Sequence, residues 1–188
     1  MTAGYTRRKQ PEVIRRALLD HAARIVMEQG LANLTVQAVA EAAGVTKGGL
    51  FHHFPTKQAL VDGVLRDWVE RLDAEIDTLM DADPEPHGRF TRAYVAAAFA
   101  DHPAGQGGGA WAAVSLSMMA DTAVSRFWTG WLSARLDRHR VTDGGPEMEV
   151  VRLAADGAWL ALLLKADATL VAGVPALRAR LMAMTRRS

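Results

Sequence analysis

The amino-acid sequence predicts an all-α protein of about nine helices. Apolar residues recur at helical spacing along most of the 188 residues, and no segment has a convincing β-sheet pattern. Glycine and proline residues separate the apolar segments into lengths that are typical of globular helices.

The first two predicted helices are a long one and a short one. Pro11 opens the first helix at a position where its missing N–H does no harm, and Gly30 ends it. This helix is therefore expected over about residues 11–29. Thr35 is a good N-cap for a short second helix, which ends at Gly44.

Two further helices are predicted before a clear break in the chain. Thr46 caps a short third helix that ends near Phe54, because Pro55 pushes the residue before it out of the α region. Thr56 caps a longer fourth helix with an apolar stripe, and residues 83–86 then break the chain. Beyond this break, five more helices are expected over about residues 87–101, 108–120, 122–140, 146–167 and 175–186.

The composition limits the kind of protein. The chain has no cysteine, which excludes disulfides, thiolate zinc sites and cysteine nucleophiles. Residues 1–10 are polar and basic, unlike a signal peptide. The longest apolar run, from Ala158 to Leu164, is far shorter than the roughly 20 residues that cross a bilayer. We therefore expect a soluble, cytoplasmic protein without membrane contact.

Charge is distributed unevenly along a chain whose net charge is only +1. Residues 1–57 hold eight lysines and arginines and four acidic residues, whereas the remainder holds 14 basic and 17 acidic residues. A basic N-terminal part joined to a mildly acidic body is expected of a polyanion-binding module attached to a different one.

The second and third predicted helices form a helix-turn-helix pattern. Gly44 allows a sharp reversal, and Ala40, Val45 and Leu50 are apolar where the two helices must touch. The third helix would then present its N-terminal end, with unpaired N–H groups and a positive dipole, to a phosphate-lined groove. This pattern predicts binding to DNA.

The segment from Leu34 to Lys57 resembles the DNA-binding domain of the tetracycline-repressor (TetR) family. The glycines, residues 50–54 (Leu-Phe-His-His-Phe) and the lysine at these spacings carry the resemblance. It implies a helix-turn-helix DNA-binding domain over residues 11–71 and a helical ligand-binding and dimerisation domain over residues 72–188. It also implies a homodimer whose two recognition helices read a near-palindromic operator in double-stranded DNA.

The family pattern implies contacts with DNA on the second helix and at the start of the third. Thr35 would contact a phosphate, or else it is only an N-cap. Gln37 would approach the DNA, or else it is a solvated surface residue. Thr46 and Lys47 open the recognition helix and would reach base edges, with the lysine directed to a guanine.

The same pattern implies contacts at the end of the third helix. Phe51 departs from the family, in which many members have tyrosine, so packing on a sugar or methyl group is expected instead of a phosphate bond. His53 matches a phosphate-side histidine and Lys57 a phosphate-anchoring lysine, and such contacts fix register without reading sequence. His52 and His53 lack the further ligands that a metal site needs, so no metal is expected.

Gly48 and Gly49 lie inside the short third helix, where each costs about 1 kcal/mol relative to alanine. Their missing β-carbons would let the helix backbone approach DNA closely, or would allow a close contact between helices, and both can hold. Arg7, Arg8 and Lys9 form either a flexible arm along the DNA or a solubilising tail.

The C-terminal helices predict a dimer. The helix over residues 146–167 is apolar on nearly every face, so one of its sides cannot simply face solvent. Together with the final helix it is expected to form a four-helix bundle across a two-fold axis. The alternative is a single, deeply buried core helix.

Large, adaptable side chains are concentrated in the middle of the C-terminal part. Tryptophan and methionine suit a pocket for a flat or flexible apolar ligand, although such residues at helical spacing are also typical of an ordinary core. The candidate ligand-binding residues are Trp111, Met118, Phe127, Trp128, Trp131 and Trp159.

These observations and the resemblance together predict a sequence-specific transcriptional regulator, a repressor that a small, largely apolar effector releases from its operator. One alternative is a helical enzyme with scattered residues such as His87, Asp101 and His102. No glycine-rich nucleotide loop, nucleophile elbow or helix-borne metal pair supports it, so no catalytic residue and no cofactor are expected. The groove-reading segment disfavours a third alternative, a purely structural adaptor.

Overall fold

A computed structural model of the chain describes residues 3–100, 122–163 and 173–186. Within these residues the chain forms nine helices and no strand, which confirms the all-α prediction. The helices are α1 (Ala3–Gln29), α2 (Val36–Ala42), α3 (Lys47–His53), α4 (Lys57–Asp81), α5 (Arg89–Ala98), α6 (Thr122–Arg138), α7 (Arg140–Asp143), α8 (Pro146–Leu163) and α9 (Val174–Met184). A 3-10 turn, Leu31–Asn33, lies between α1 and α2. The helix expected over residues 108–120 lies outside the described residues.

A membrane-spanning helix would have to be long and apolar, and no helix in the described part of the chain is both.

The described residues form two compact units. The first contains residues 3–69 and 122–126, and the second contains residues 70–100, 127–163 and 173–186. Helix α4 contributes its first residues to the first unit and its last residues to the second.

The N-terminal end of α1 corrects the sequence prediction. The helix begins at Ala3 rather than at Pro11, so the proline lies inside the helix and the backbone of residues 7–9 is helical. A flexible arm or tail at these residues is therefore wrong. Arginine, lysine and glutamine, which are good helix formers, precede the proline, whereas the apolar periodicity begins only after it.

The core of the first unit holds α2 and α3 against α1. Ala40 and Leu50 are buried where the second and third helices meet, as the sequence predicts, while Val45 is half-buried. The buried apolar residues are Leu18, Leu19, Ala22, Ile25, Val26, Leu34, Val39, Ala40, Leu50, Phe54, Leu60, Val61, Val64, Leu65, Val69 and Val124.

Arg16 connects α1 to α4 by ion pairs. Its Nη2 atom lies 2.6 Å from Oδ1 of Asp20 and 3.2 Å from Oδ2 of Asp67, and its Nη1 atom also bonds to Asp67. The side chain of Asp67 is only 19% exposed, so this pair is better shielded from solvent than a typical surface pair.

Helix α5 forms the centre of the second unit. Val95 packs against Val151 and Ala155 of α8 and Leu181 of α9, and all four residues are buried. Apolar contacts therefore hold these three helices together.

A buried arginine stabilises the entry to α5. Arg92 is 4% exposed, and its guanidinium donates hydrogen bonds to the carbonyl oxygens of Glu85 at 2.7 Å, His87 at 2.8 Å and Thr185 at 3.2 Å. Its Nε atom lies 2.5 Å from Oδ2 of Asp83, and this hydrogen bond lowers the pKa of the carboxyl group. The buried charge is thus paired and satisfied, as it must be at this depth.

Helix α4 lies close to its neighbours at Gly63. A β-carbon there would lie 2.7 Å from Cε1 of Phe54 and 3.2 Å from Cδ2 of Leu19. Phe54 is 2% exposed and enclosed by other core residues, so its ring has little room to move.

We expect Gly63→Ala to lower the free energy of unfolding by roughly 1–3 kcal/mol, because overpacking outweighs the gain in helix propensity. Urea denaturation followed by circular dichroism measures the change. Gly130→Ala is the matched control, since a β-carbon at this position in α6 meets no atom within 4 Å among the described residues. Equal midpoints for the two variants would contradict the close packing at Gly63.

Candidate nucleic-acid interface

Helix α3 is short and is fixed at both ends. It follows a turn in which Gly44 has a φ of +66°, a left-handed conformation that glycine adopts readily. The hydroxyl oxygen of Thr46 accepts a hydrogen bond from the N–H of Gly49 at 3.0 Å, so it caps the helix as predicted. Leu50 is fully buried and Phe54, the residue after the helix, is 2% exposed. These anchors determine which side of α3 faces outward.

The outward side of α3 carries Lys47, Gly48, Phe51 and His52, which are all exposed. The Phe51 ring is 38% exposed, and Nζ of Lys47 lies 5.9 Å from its centroid. This face therefore combines a cation, an apolar ring and a stretch of helix backbone without a side chain. Such a combination can contact phosphates, methyl groups and base edges.

Among the described residues, the two glycines of α3 make no close contact with another helix. A β-carbon on Gly48 would meet, among the described residues, only Oγ1 of Thr46 at 3.9 Å. On Gly49 its nearest neighbours would be Oγ1 of Thr46 at 3.3 Å and Cβ of Val45 at 3.8 Å. These atoms belong to the turn before α3, so the space beside Gly48 is open for an external ligand.

The two candidates on α2 already have hydrogen bonds within the chain. Thr35 caps α2, since its hydroxyl oxygen accepts from the N–H of Ala38 at 3.1 Å. The hydroxyl proton is not used in this bond and can still be donated to a phosphate. Nε2 of Gln37 donates to Oε1 of Glu41 at 2.6 Å, which orients an exposed side chain along the helix surface. Contact of either residue with DNA stays a prediction.

Histidines lie at the end of α3. The rings of His52 and His53 are 5.5 Å apart and nearly perpendicular. Burial lowers the pKa of His53, and the nearby charges of His52 and Arg15 lower it further, which favours the neutral imidazole. Lys57, the first residue of α4, is exposed.

Arg15 is a neighbour of this site that the sequence does not reveal. Its guanidinium carbon lies 4.7 Å from the centroid of the Phe54 ring, although the two residues are far apart in the chain. Phe54 closes α3, so the arginine of α1 is placed at the C-terminal end of that helix.

Four of the six candidate ligand-binding residues lie among the described residues. Trp111 and Met118 lie outside the described residues. The other four are half-buried and belong to the second unit: Phe127, Trp128, Trp131 and Trp159.

Two of these aromatic residues lie together on α6. The rings of Trp128 and Trp131 are 4.7 Å apart, and Nε1 of Trp131 donates a hydrogen bond to Oδ1 of Asp73 at 2.7 Å. Arg135, one turn later, also pairs with Asp73 and with Asp77. Trp131 therefore links α6 to α4 in addition to any role beside a ligand.

Helix α3 is short, capped and exposed on one side, it follows a glycine turn, and it packs against α1 and α2. This arrangement is typical of a helix-turn-helix DNA-binding protein. Comparison with known families agrees with this class. Residues 18–64 match the model of bacterial regulatory proteins of the tetR family, and residues 88–186 match a tetracyclin repressor-like C-terminal domain. The chain belongs to the TetR family.

Individual relatives are similar to part of the chain. The repressor KstR2 of Mycolicibacterium smegmatis is 34% identical over 87 residues, which are 46% of this chain and 42% of that protein. The matched segment thus spans less than half of this curated relative.

Solved structures share the fold. A TetR-family regulator from Rhodococcus sp. superposes with a TM-score of 0.67 at 21% identity, over 92% of this chain and 96% of that one. The multidrug binding protein EbrR, complexed with malachite green, has a TM-score of 0.65 at 21% identity, over 92% and 98% of the two chains.

Contact of His53 with a DNA phosphate, which is a prediction, would make the affinity for duplex DNA rise as the pH falls, because burial lowers the pKa of His53 in the free protein. A nearby phosphate favours the charged imidazole, so the complex binds more protons than the free protein between the two pKa values. We expect the dissociation constant to fall by at most about tenfold per pH unit per protomer, because one proton is taken up at this site. Fluorescence anisotropy measures this dissociation constant between about pH 5.5 and about pH 8, a range that includes the usual pKa of histidine.

His53→Gln should flatten this dependence, whereas His21→Gln, the same change in α1, should leave it in place. An unchanged pH profile in His53→Gln would show that His53 does not lie near a phosphate.

Proposed function

We propose that the protein is a sequence-specific transcriptional repressor that binds its operator as a homodimer and is released by a small, largely apolar ligand. The exposed face of α3 is the observation that carries the DNA-binding part. Relatives whose names identify them as HTH-type transcriptional repressors support it. In this proposal residues 11–71 are the DNA-binding domain and residues 72–188 the ligand-binding and dimerisation domain.

The proposed contacts with DNA divide into reading and positioning. Lys47 and Thr46 would reach base edges in the major groove, while Phe51 would pack on a methyl group or sugar. Gly48 and Gly49 would allow the helix backbone to lie close to the bases. The positioning contacts, to phosphates or the groove edge, would come from Thr35, Gln37, His52, His53 and Lys57.

An exposed apolar stripe supports the homodimer. Val150 is 56% exposed and Leu153 63% exposed on α8, and the exposed Gly157 follows at helical spacing. Met184 of α9 is 49% exposed. Their exposure favours the dimer over the alternative of a single, deeply buried core helix. A second copy of the chain would remove the stripe from water and complete a four-helix bundle.

The relatives' ligands support a flat, largely apolar effector. EbrR has been solved with malachite green, and a structural relative at 22% identity is described as the ketosteroid regulator KstR2 of Mycobacterium tuberculosis. The half-buried aromatic residues of the second unit suit such molecules. The ligand would favour a spacing of the two α3 helices that no longer fits successive major grooves, and by linkage DNA would weaken ligand binding by the same factor.

A salt titration tests DNA binding. We expect the full-length protein to bind a fluorescein-labelled duplex from the DNA upstream of its own gene, with an affinity that falls steeply as salt rises. We expect Lys47→Ala to weaken binding to this duplex roughly tenfold while changing binding to a scrambled duplex much less, because the lost contact is to a base. Absent or salt-insensitive binding would refute the proposed function.

A charge on the apolar stripe tests the dimer. We expect Leu153→Glu to convert the protein to a monomer, because a carboxylate in an apolar interface is costly to bury. Light scattering after gel filtration measures the mass. Val141→Glu is the control, since Val141 is 94% exposed but lies on α7 rather than on α8 or α9. A wild-type monomer, or a Leu153→Glu dimer, would contradict the interface.

A further inference from the structure

Arg15 is an exposed cation held by an aromatic ring. Its guanidinium lies over the face of Phe54 at 4.7 Å from the ring centroid, and Phe54 is buried in the core of the first unit. A guanidinium stacked on a fixed ring loses less conformational freedom when it binds an anion than a freely moving one does. The side chain is therefore oriented before any ligand arrives.

The neighbouring arginine shows what Arg15 lacks. Arg16 is neutralised by two carboxylates, those of Asp20 and Asp67. Within the described residues Arg15 forms no ion pair, and its guanidinium makes a cation–π contact with the Phe54 ring instead. Its charge and its N–H donors are thus left for an external anion.

The surroundings of Arg15 indicate which anion this is. Phe54 directly follows α3, whose outward face carries the candidate DNA contacts. Arg15 is also close enough to His53 for its charge to depress the pKa of that imidazole. Two nitrogen-bearing groups from different helices, Arg15 of α1 and His53 of α3, therefore lie at the same end of the recognition helix.

We propose that Arg15 binds a backbone phosphate of duplex DNA, in a site that it forms with His53 at the C-terminal end of α3. The proposal rests on the proposed function and adds α1 to the helices that contact DNA. The planar guanidinium matches two phosphate oxygens, which a lysine at this position would not do as well. Because the contact is to a phosphate, it carries no sequence information.

The experiment compares Arg15→Gln with Arg24→Gln in the full-length protein. Glutamine removes the charge but keeps a planar group for the Phe54 ring. Arg24 is also an exposed arginine of α1. It comes nine positions after Arg15, which places it on the opposite side of the helix, about 180° away. Each variant thus loses one positive charge from α1, but only Arg15→Gln loses it beside α3.

Fluorescence anisotropy is measured with the upstream duplex and with a scrambled duplex of equal length over a series of salt concentrations. We expect Arg15→Gln to weaken binding to both duplexes roughly tenfold and to reduce the slope of log K against log salt by about 0.9 per protomer. We expect Arg24→Gln to keep the wild-type slope. Circular dichroism melting confirms that both variants fold.

The outcomes separate this proposal from the proposed function. If the wild-type protein binds DNA and both variants keep its salt slope, DNA binding stands and the phosphate contact of Arg15 is wrong. If Arg15→Gln weakens binding to the upstream duplex alone, the contact is to a base and the phosphate assignment is wrong. If the wild-type protein binds neither duplex, both proposals fail.

Discussion

The attachment of α3 to the core of the first unit is the constraint on which the DNA-binding surface depends. A helix of seven residues with two glycines does not persist alone in water, because helix nucleation is costly and glycine opposes it. Leu50 and Phe54 bury its inner side, and Thr46 caps its start. Tertiary contacts therefore stabilise α3, which its local sequence alone would not do. The outer side is left free to carry function rather than stability.

Local signals made much of this fold predictable. The three threonine caps at positions 35, 46 and 56 each bond an N–H within the next helical turn, so the helices begin where these residues stand. Gly44 reverses the chain for an equally local reason, its positive φ. The start of α1 was not predictable in this way, because residues 3–10 carry helix-forming side chains without an apolar stripe.

Contacts between distant residues could not be predicted from one sequence. Asp20, four residues after Arg16, is a local signal for one of its ion pairs, but nothing local indicates that Asp67 also pairs with Arg16 or that Arg15 lies over an aromatic ring. Trp131 is of a residue type that suits a ligand pocket, but its indole N–H donates a hydrogen bond to Asp73. Arg92 sits in the interior because backbone carbonyls more than 90 residues apart in sequence converge on it. Such roles depend on which distant segments of the chain come into contact, and the periodicity of apolar residues does not predict these contacts.

Gly48 has a consequence for altering what this protein recognises. Its β position opens away from the core, and the nearest atom there belongs to the capping threonine at 3.9 Å. A β-carbon introduced at this one residue would not have to displace any core atom of the described residues, and most substitutions would replace glycine with a better helix former. A randomised library at this position would thus test, with the scaffold intact, whether the proposed approach of Gly48 to DNA sets the preference for an operator.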